Sequence, residues 1–168
     1  METSLRILLR IRLVAIAAGA LWLAGFAAAA NNEQNSLHPS DRTFMRKAAK
    51  GGMLEVAMGK LAEEHATNAD VKAFGQRMVT DHSKANDKLK SIAQMKGVTL
   101  PSSKAPVKWT SDKAYMNTMV KDHEEDLAEF QKEAREAKDP DLRQFAEQTA
   151  KMVQEHLDLA KNTQGKLD

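Results

Sequence analysis

From about residue 41 onward, apolar residues recur every three or four positions in four successive blocks, and each block ends at polar, glycine or proline punctuation. That spacing is the signature of amphipathic helices with one buried stripe. Residues 31–39 are polar and end at Pro39, reading as a disordered lead, with Ser40 as N-cap of a first helix from about Asp41 to Ala66. Asn68 caps a second helix reaching about Lys96, where Gly97 supplies the left-handed stop. Residues 98–110, with Pro101 and Pro106, form the one long connection. Ser111 caps a third helix to about Lys138, and Asp139-Pro140 begins a fourth that runs to about Thr163. The stripes are Val71, Phe74, Met78, Ala85, Leu89 and Ile92 on the second helix, and Met116, Met119, Leu127, Phe130 and Ala134 on the third. On the fourth they are Leu142, Phe145, Met152 and Leu159 or Ala160. No alternating strand pattern occurs. The expectation is an all-α, antiparallel, ferritin-like four-helix bundle over residues 40–165.

The two halves repeat. A shift of 71 residues lays Ser40-Asp41-Arg42-Thr43-Phe44-Met45 on Ser111-Asp112-Lys113-Ala114-Tyr115-Met116, and Asp70-Val71-Lys72-Ala73-Phe74-Gly75 on Asp141-Leu142-Arg143-Gln144-Phe145-Ala146. The bundle therefore reads as a duplicated helical hairpin.

The beginning of the chain changes the charge picture. Arg6, Arg10 and Arg12 precede an uncharged apolar run from Leu13 to Phe26, and Ala28-Ala29-Ala30 follows as a cleavage site. Residues 1–30 thus read as a signal peptide, with the mature chain starting at Asn31 and working in the periplasm. The alternative is an uncleaved inner-membrane anchor over residues 13–30. The segment removes three arginines and one glutamate from totals of 25 basic and 23 acidic residues, leaving 22 of each. Balanced charge gives no footprint for nucleic acid. With no cysteine anywhere, packing or a bound ligand must hold the fold.

Chemistry enters through polar residues inside the apolar stripes. The segment Met-Val-x-Asp/Glu-His occurs three times, at Met78–His82, Met119–His123 and Met152–His156. Each histidine lies four residues after its methionine, on the same helical face. The first helix carries Glu55 in its stripe instead, paired by the duplication with Asp126. With a rise of about 1.5 Å per residue, all four groups fall near mid-helix. Two readings lead, ahead of a pH-responsive cluster or a small-molecule pocket. Glu55, His82, His123 and His156 hold one transition metal ion (zinc, iron or copper), or they satisfy one another as a closed structural network. Asp126 and the thioethers of Met78, Met119 and Met152 are further candidate ligands, the sulfurs suiting copper(I). Asp81, Asp122 and Glu155 stand at the flank of the stripe, where they either orient the imidazoles or, the favoured reading, are solvated; His38 and His65 read as surface residues, and Trp109 as the pin of the long connection.

Nearly all of the mature chain, about Asp41 to Ala160, resembles the bacterial family called domain of unknown function 4142, in the ferritin-like superfamily. The residues carrying the resemblance are Asp41, Phe44, Gly52, Glu55-Val56, Val71, Phe74, Met78, Asp81-His82, Leu100-Pro101, Asp122-His123, Phe145 and His156-Leu157. It implies an exported, all-helical extracytoplasmic protein without an established activity. The superfamily's di-iron pattern implies carboxylates at Glu55 and Asp126 and histidines at His82 and His156. It also demands acids three residues before those histidines, where Val79 and Val153 stand. A single-metal site fits these residues better than a ferritin-type di-iron centre.

No nucleophile with an adjacent base and no phosphate-binding glycine loop is present, so no catalytic residue is assigned. The functional expectation is a periplasmic metal-binding protein for storage, buffering or envelope stress protection. Its rival is a non-metal envelope interaction or stress module with a structural histidine network.

Overall fold

Proline has no N–H to lose in a first helical turn and its φ is already helical. In the computed structural model, which describes residues 37–102 and 107–167, the first helix therefore starts at Pro39, one residue ahead of the expected cap. Its N-cap is His38, whose Nδ1 accepts from the backbone N–H of Ser40. Leu37 is buried. The last residues of the expected lead thus belong to the bundle, while the expected signal segment and residues 31–36 lie outside the described residues.

Four helices follow: α1 (Pro39–His65), α2 (Ala69–Met95), α3 (Asp112–Glu136) and α4 (Pro140–Gln164). Asn68, Ser111 and Asp139 cap α2, α3 and α4 through their side-chain oxygens, as the sequence implies. Gly97, at φ +64°, is where α2 stops. The third helix ends at Glu136, two residues earlier than its pattern suggests. The N–H groups of Lys138 and Asp139 point instead at the buried carboxylate of Asp41. Among the described residues no helix is long and apolar enough to cross a membrane.

The helices pair as hairpins, α1 along α2 and α3 along α4, and the hairpins meet chiefly through α2 against α4. Within the first hairpin the backbones touch at Gly59 and Gly75. A Cβ on Gly75 would lie 2.7 Å from the Ala62 Cβ and 2.8 Å from the Gly59 carbonyl oxygen. Side chains on both helices would force them apart.

Apolar side chains gather in two clusters rather than one. The first, around Phe44, Met45, Leu89, Ile92, Phe130, Leu142, Phe145 and Val153, joins the start of α1 to the end of α2 and the start of α4. The second, around Ala62, Val71, Phe74, Met78, Tyr115, Met116, Met119 and Ala160, occupies the opposite end. The connection after α2 leaves the first end, where Val98 is packed, and arrives at the second, where Trp109 packs. It therefore crosses over the length of the bundle, which makes α3 parallel to α2 and antiparallel to α1. Trp109 lies over Tyr115 with ring centroids 5.5 Å apart, the pinning role expected of it.

On α4 the stripe is rotated slightly from its sequence reading. Val153 is fully buried and Met152 only half-buried, with Ala160 rather than Leu159 in the core. Between the two apolar clusters lies a layer of buried polar side chains: Glu55, His82, His123 and His156.

Candidate metal centre

One polar residue comes from each helix, because each sits in the apolar stripe near mid-length and the stripes converge. Glu55 of α1, His82 of α2, His123 of α3 and His156 of α4 are 4 %, 3 %, 0 % and 0 % exposed. The imidazole centroids are 5.8 Å apart for His82 and His123, 5.2 Å for His82 and His156, and 5.6 Å for His123 and His156. One nitrogen from each ring lies within 4.8 Å of the other two, so these three residues form a group able to hold a metal ion.

Each ring is held by one nitrogen and leaves the other free. His82 Nδ1 faces the Glu55 Oε2 at 2.9 Å. His123 Nδ1 donates to the Met119 carbonyl oxygen at 2.8 Å, a bond back along its own helix. His156 Nε2 donates to the Asp81 Oδ2 at 3.1 Å. The opposite nitrogens, His82 Nε2, His123 Nε2 and His156 Nδ1, have no hydrogen-bond partner. With a neutral imidazole donating from one side, its second nitrogen carries a lone pair. Three lone pairs are therefore buried with no donor.

This bears on the two sequence readings. A closed polar network requires donors for its acceptors, and buried groups left unpaired cost about 1–3 kcal/mol each. Glu55 Oε1 stands 3.7 Å from His123 Nε2, outside hydrogen-bond reach. The network does not close on itself. An imidazole that donates from its far nitrogen to a carboxylate or carbonyl is instead the usual arrangement behind a metal ligand. For metal–nitrogen lengths of about 2.0–2.1 Å in a tetrahedral set, the nitrogens stand about 3.3 Å apart, so the rings would close in on an ion.

Burial also sets the protonation states. It pushes His82 down to about 4 against the pull of Asp126 and Asp81. It does the same to His123 against Glu55, and to His156 against the bond from Asp81, each again to about 4. The imidazoles are thus neutral, the form that binds metals, across the physiological range. Burial pushes the Glu55 carboxyl up to about 7, opposed by His123, reinforced by Asp122 and opposed again by a hydrogen bond with the Asp126 carboxyl. Asp126 also rises to about 7, through burial and then the nearby Glu55.

The other candidates fall in different places. Asp126 is half-buried on α3 beside Glu55. Both line a cavity of about 750 Å³ that His82 also reaches. Met78 and Met119 are fully buried in the second apolar cluster, and what Met119 gives His123 is a backbone carbonyl. Met152 packs at the edge of the first cluster. Val79 stands where Gly59 allows α1 to approach, and Val153 is core, so the positions that would carry a second pair of acids are occupied by packing.

Of the two roles open to Asp81, the structure takes the orienting one: it holds His156, and it is itself held by Arg77, which also reaches Glu155. Its spacing in the motif suggests service to its own neighbour, His82. A helix turns about 100° per residue, so it serves the adjacent helix instead. Asp122 is half-buried and raised by burial. His65 is exposed, and so is His38, which serves as the first helix cap.

Among solved structures, the chain is similar to a DUF305 fragment from Deinococcus radiodurans, with 10% identity, a TM-score of 0.67, and 78% of this chain and 99% of that chain covered. It is also similar to a two-domain protein with DJ-1/ThiJ/PfpI-like and ferritin-like domains from Anabaena variabilis ATCC 29413. That match has 14% identity and a TM-score of 0.65, covering 93% of this chain and 45% of the other. At these identities the likeness is one of fold, and it agrees with the ferritin-like bundle expected from the sequence. No curated protein matches the chain. Residues 26–163 match the family described as Domain of unknown function (DUF4142), and the chain belongs to that family.

Proposed function

We propose that this protein binds a single divalent transition metal ion at the centre of the bundle, through His82 Nε2, His123 Nε2 and His156 Nδ1. Glu55 holds the His82 ring from behind, and a water completes the ligand set. The observation that carries this reading is a buried group of three imidazoles, each offering a nitrogen within 4.8 Å of the others and each with one nitrogen engaged and one unpartnered. Imidazole donors suit zinc, copper(II) and iron, and three of them leave a fourth position for carboxylate or water. With no nucleophile-and-base pair assigned, the role is binding: storage, buffering or protection of the cell envelope from metal stress. The leader-like residues 1–30 support work outside the cytoplasm, after cleavage before Asn31.

Calorimetric titration of chelator-stripped protein with zinc, copper(II) and iron(II), with melting followed in parallel, tests the reading. One ion per chain is expected, with stabilisation of about 2.7 kcal/mol at a free ion concentration one hundred times Kd. Absence of binding for all three ions sinks it. Cell fractionation with N-terminal sequencing tests the location, and a cytoplasmic chain retaining Met1 refutes export.

A further inference from the structure

The three imidazoles are shut off from solvent, yet the cavity of about 750 Å³ reaches His82 across Glu55. Its walls and floor differ in chemistry. Phe44, Leu89 and Phe130 provide apolar wall, while Glu55 and Asp126 are acidic and lie deep beside His82. Glu129, one helical turn beyond Asp126 on α3, continues the acidic line outward, where the largely exposed Lys47 pairs with it at 2.5 Å. Lys50 at the rim is exposed. Glu55 is the telling residue. It is 4 % exposed, its Oε2 is engaged by His82, and its carboxyl meets that of Asp126 within hydrogen-bond reach.

We propose that this cavity is the port through which a divalent cation reaches the three imidazoles, passed inward by Glu129, Asp126 and Glu55 in turn. The inference rests on the metal-binding reading above. A cation entering an apolar passage cannot shed its water all at once, because an uncompensated charge there is very costly. Carboxylates spaced one turn apart replace its oxygen ligands stepwise, and low-dielectric walls strengthen their pull. The ammonium of Lys47 swings back to solvent as the ion takes its place on Glu129. Glu55 then receives the ion beside His82 and passes it to the nitrogens.

The test uses stripped full-length protein mixed rapidly with cobalt(II), with loading followed by visible absorption and equilibrium affinity measured separately. Asp126→Asn is expected to slow both loading and chelator-driven release about tenfold, with affinity unchanged. Ala85→Phe, which fills the cavity wall without altering charge, has the same signature. Asp126→Glu restores the rate, and Glu125→Gln on the exposed face of α3 changes nothing. Added salt slows the wild type more than Asp126→Asn. Wild-type rates in both Asp126→Asn and Ala85→Phe overturn the port and leave the metal reading standing, as does lost affinity at an unchanged loading rate. No cobalt uptake by the wild type overturns the port, and the titrations above then judge the metal reading separately.

Discussion

Asp81 of α2 accepts the Nε2–H of His156 of α4 at 3.1 Å, and thereby decides which nitrogen of that ring faces the centre of the bundle. Arg77, one turn earlier, steadies the carboxylate. Removing such a partner frees the ring to turn or change tautomer. Asp81→Ala is expected to weaken metal binding about 10–100-fold while leaving the helices intact. A competition titration against a chromophoric chelator reads this, and wild-type affinity in the variant would show that Asp81 does not orient the ligand.

His123 separates the metal reading from the structural one. Its Nε2 is buried without a donor, so replacing the ring by a leucine removes an unpaired acceptor as well as one hydrogen bond to the Met119 carbonyl. His123→Leu is expected to melt, without metal, at or above the wild-type temperature, and zinc is expected to raise that temperature no further. A loss above about 3 kcal/mol in the metal-free variant would mean the imidazole holds the fold together.

Glu55 makes metal-free stability depend on pH in a definite direction. Its folded value, about 7, lies above the ordinary 4.5 because the carboxyl is buried. Between those values the folded chain keeps a proton that the unfolded chain has released, so this group's contribution falls as pH rises and stays low above 7. Glu55→Gln lacks the titration. Its stability relative to wild type is expected to improve by on the order of 3 kcal/mol from pH 4.5 to 7.5. Urea unfolding at the two pH values, in chelator, measures the difference, and an equal offset at both contradicts the assignment.

Asp41 and Asp112 stand 71 residues apart and do reciprocal work. Asp41 accepts the N–H groups of Lys138 and Asp139 in the α3–α4 turn, and Asp112 those of Thr67 and Asn68 in the α1–α2 turn. Asp41 is fully buried and Asp112 only half-buried. Asp41→Ala is expected to cost about 3 kcal/mol, because two backbone N–H groups lose an acceptor that is itself fully buried and whose removal leaves a void. Asp112→Ala is expected to cost about 1 kcal/mol, since its half-buried carboxylate leaves a place that water can take. Chemical denaturation ranks the two, and a reversed order would contradict this account.

Those reciprocal clamps carry the duplication from sequence into structure. Shifting Thr67 and Asn68 by 71 gives Lys138 and Asp139, the same register that aligns the two aspartates. The repeat is legible because a helix start needs particular residues at particular places. The clamp is not, since nothing local says that an aspartate in a first turn reaches across to the other hairpin.

The sequence by itself determined the four helices, most of their caps, and the presence of Glu55, His82, His123 and His156 on buried faces at mid-helix. All of these follow from local periodicity, with the backbone's own hydrogen-bonding pattern doing the ordering. Only the tertiary structure decided which nitrogen of each ring is engaged, that Asp81 serves the histidine of another helix, and that a cavity leads to Glu55. Those depend on how the helices turn against one another, set within the first hairpin by the touching backbones at Gly59 and Gly75, and between the hairpins by the packing of α2 against α4. A rotation of a few tens of degrees about any helix axis would have left the pattern of the sequence intact and aimed the three lone pairs elsewhere.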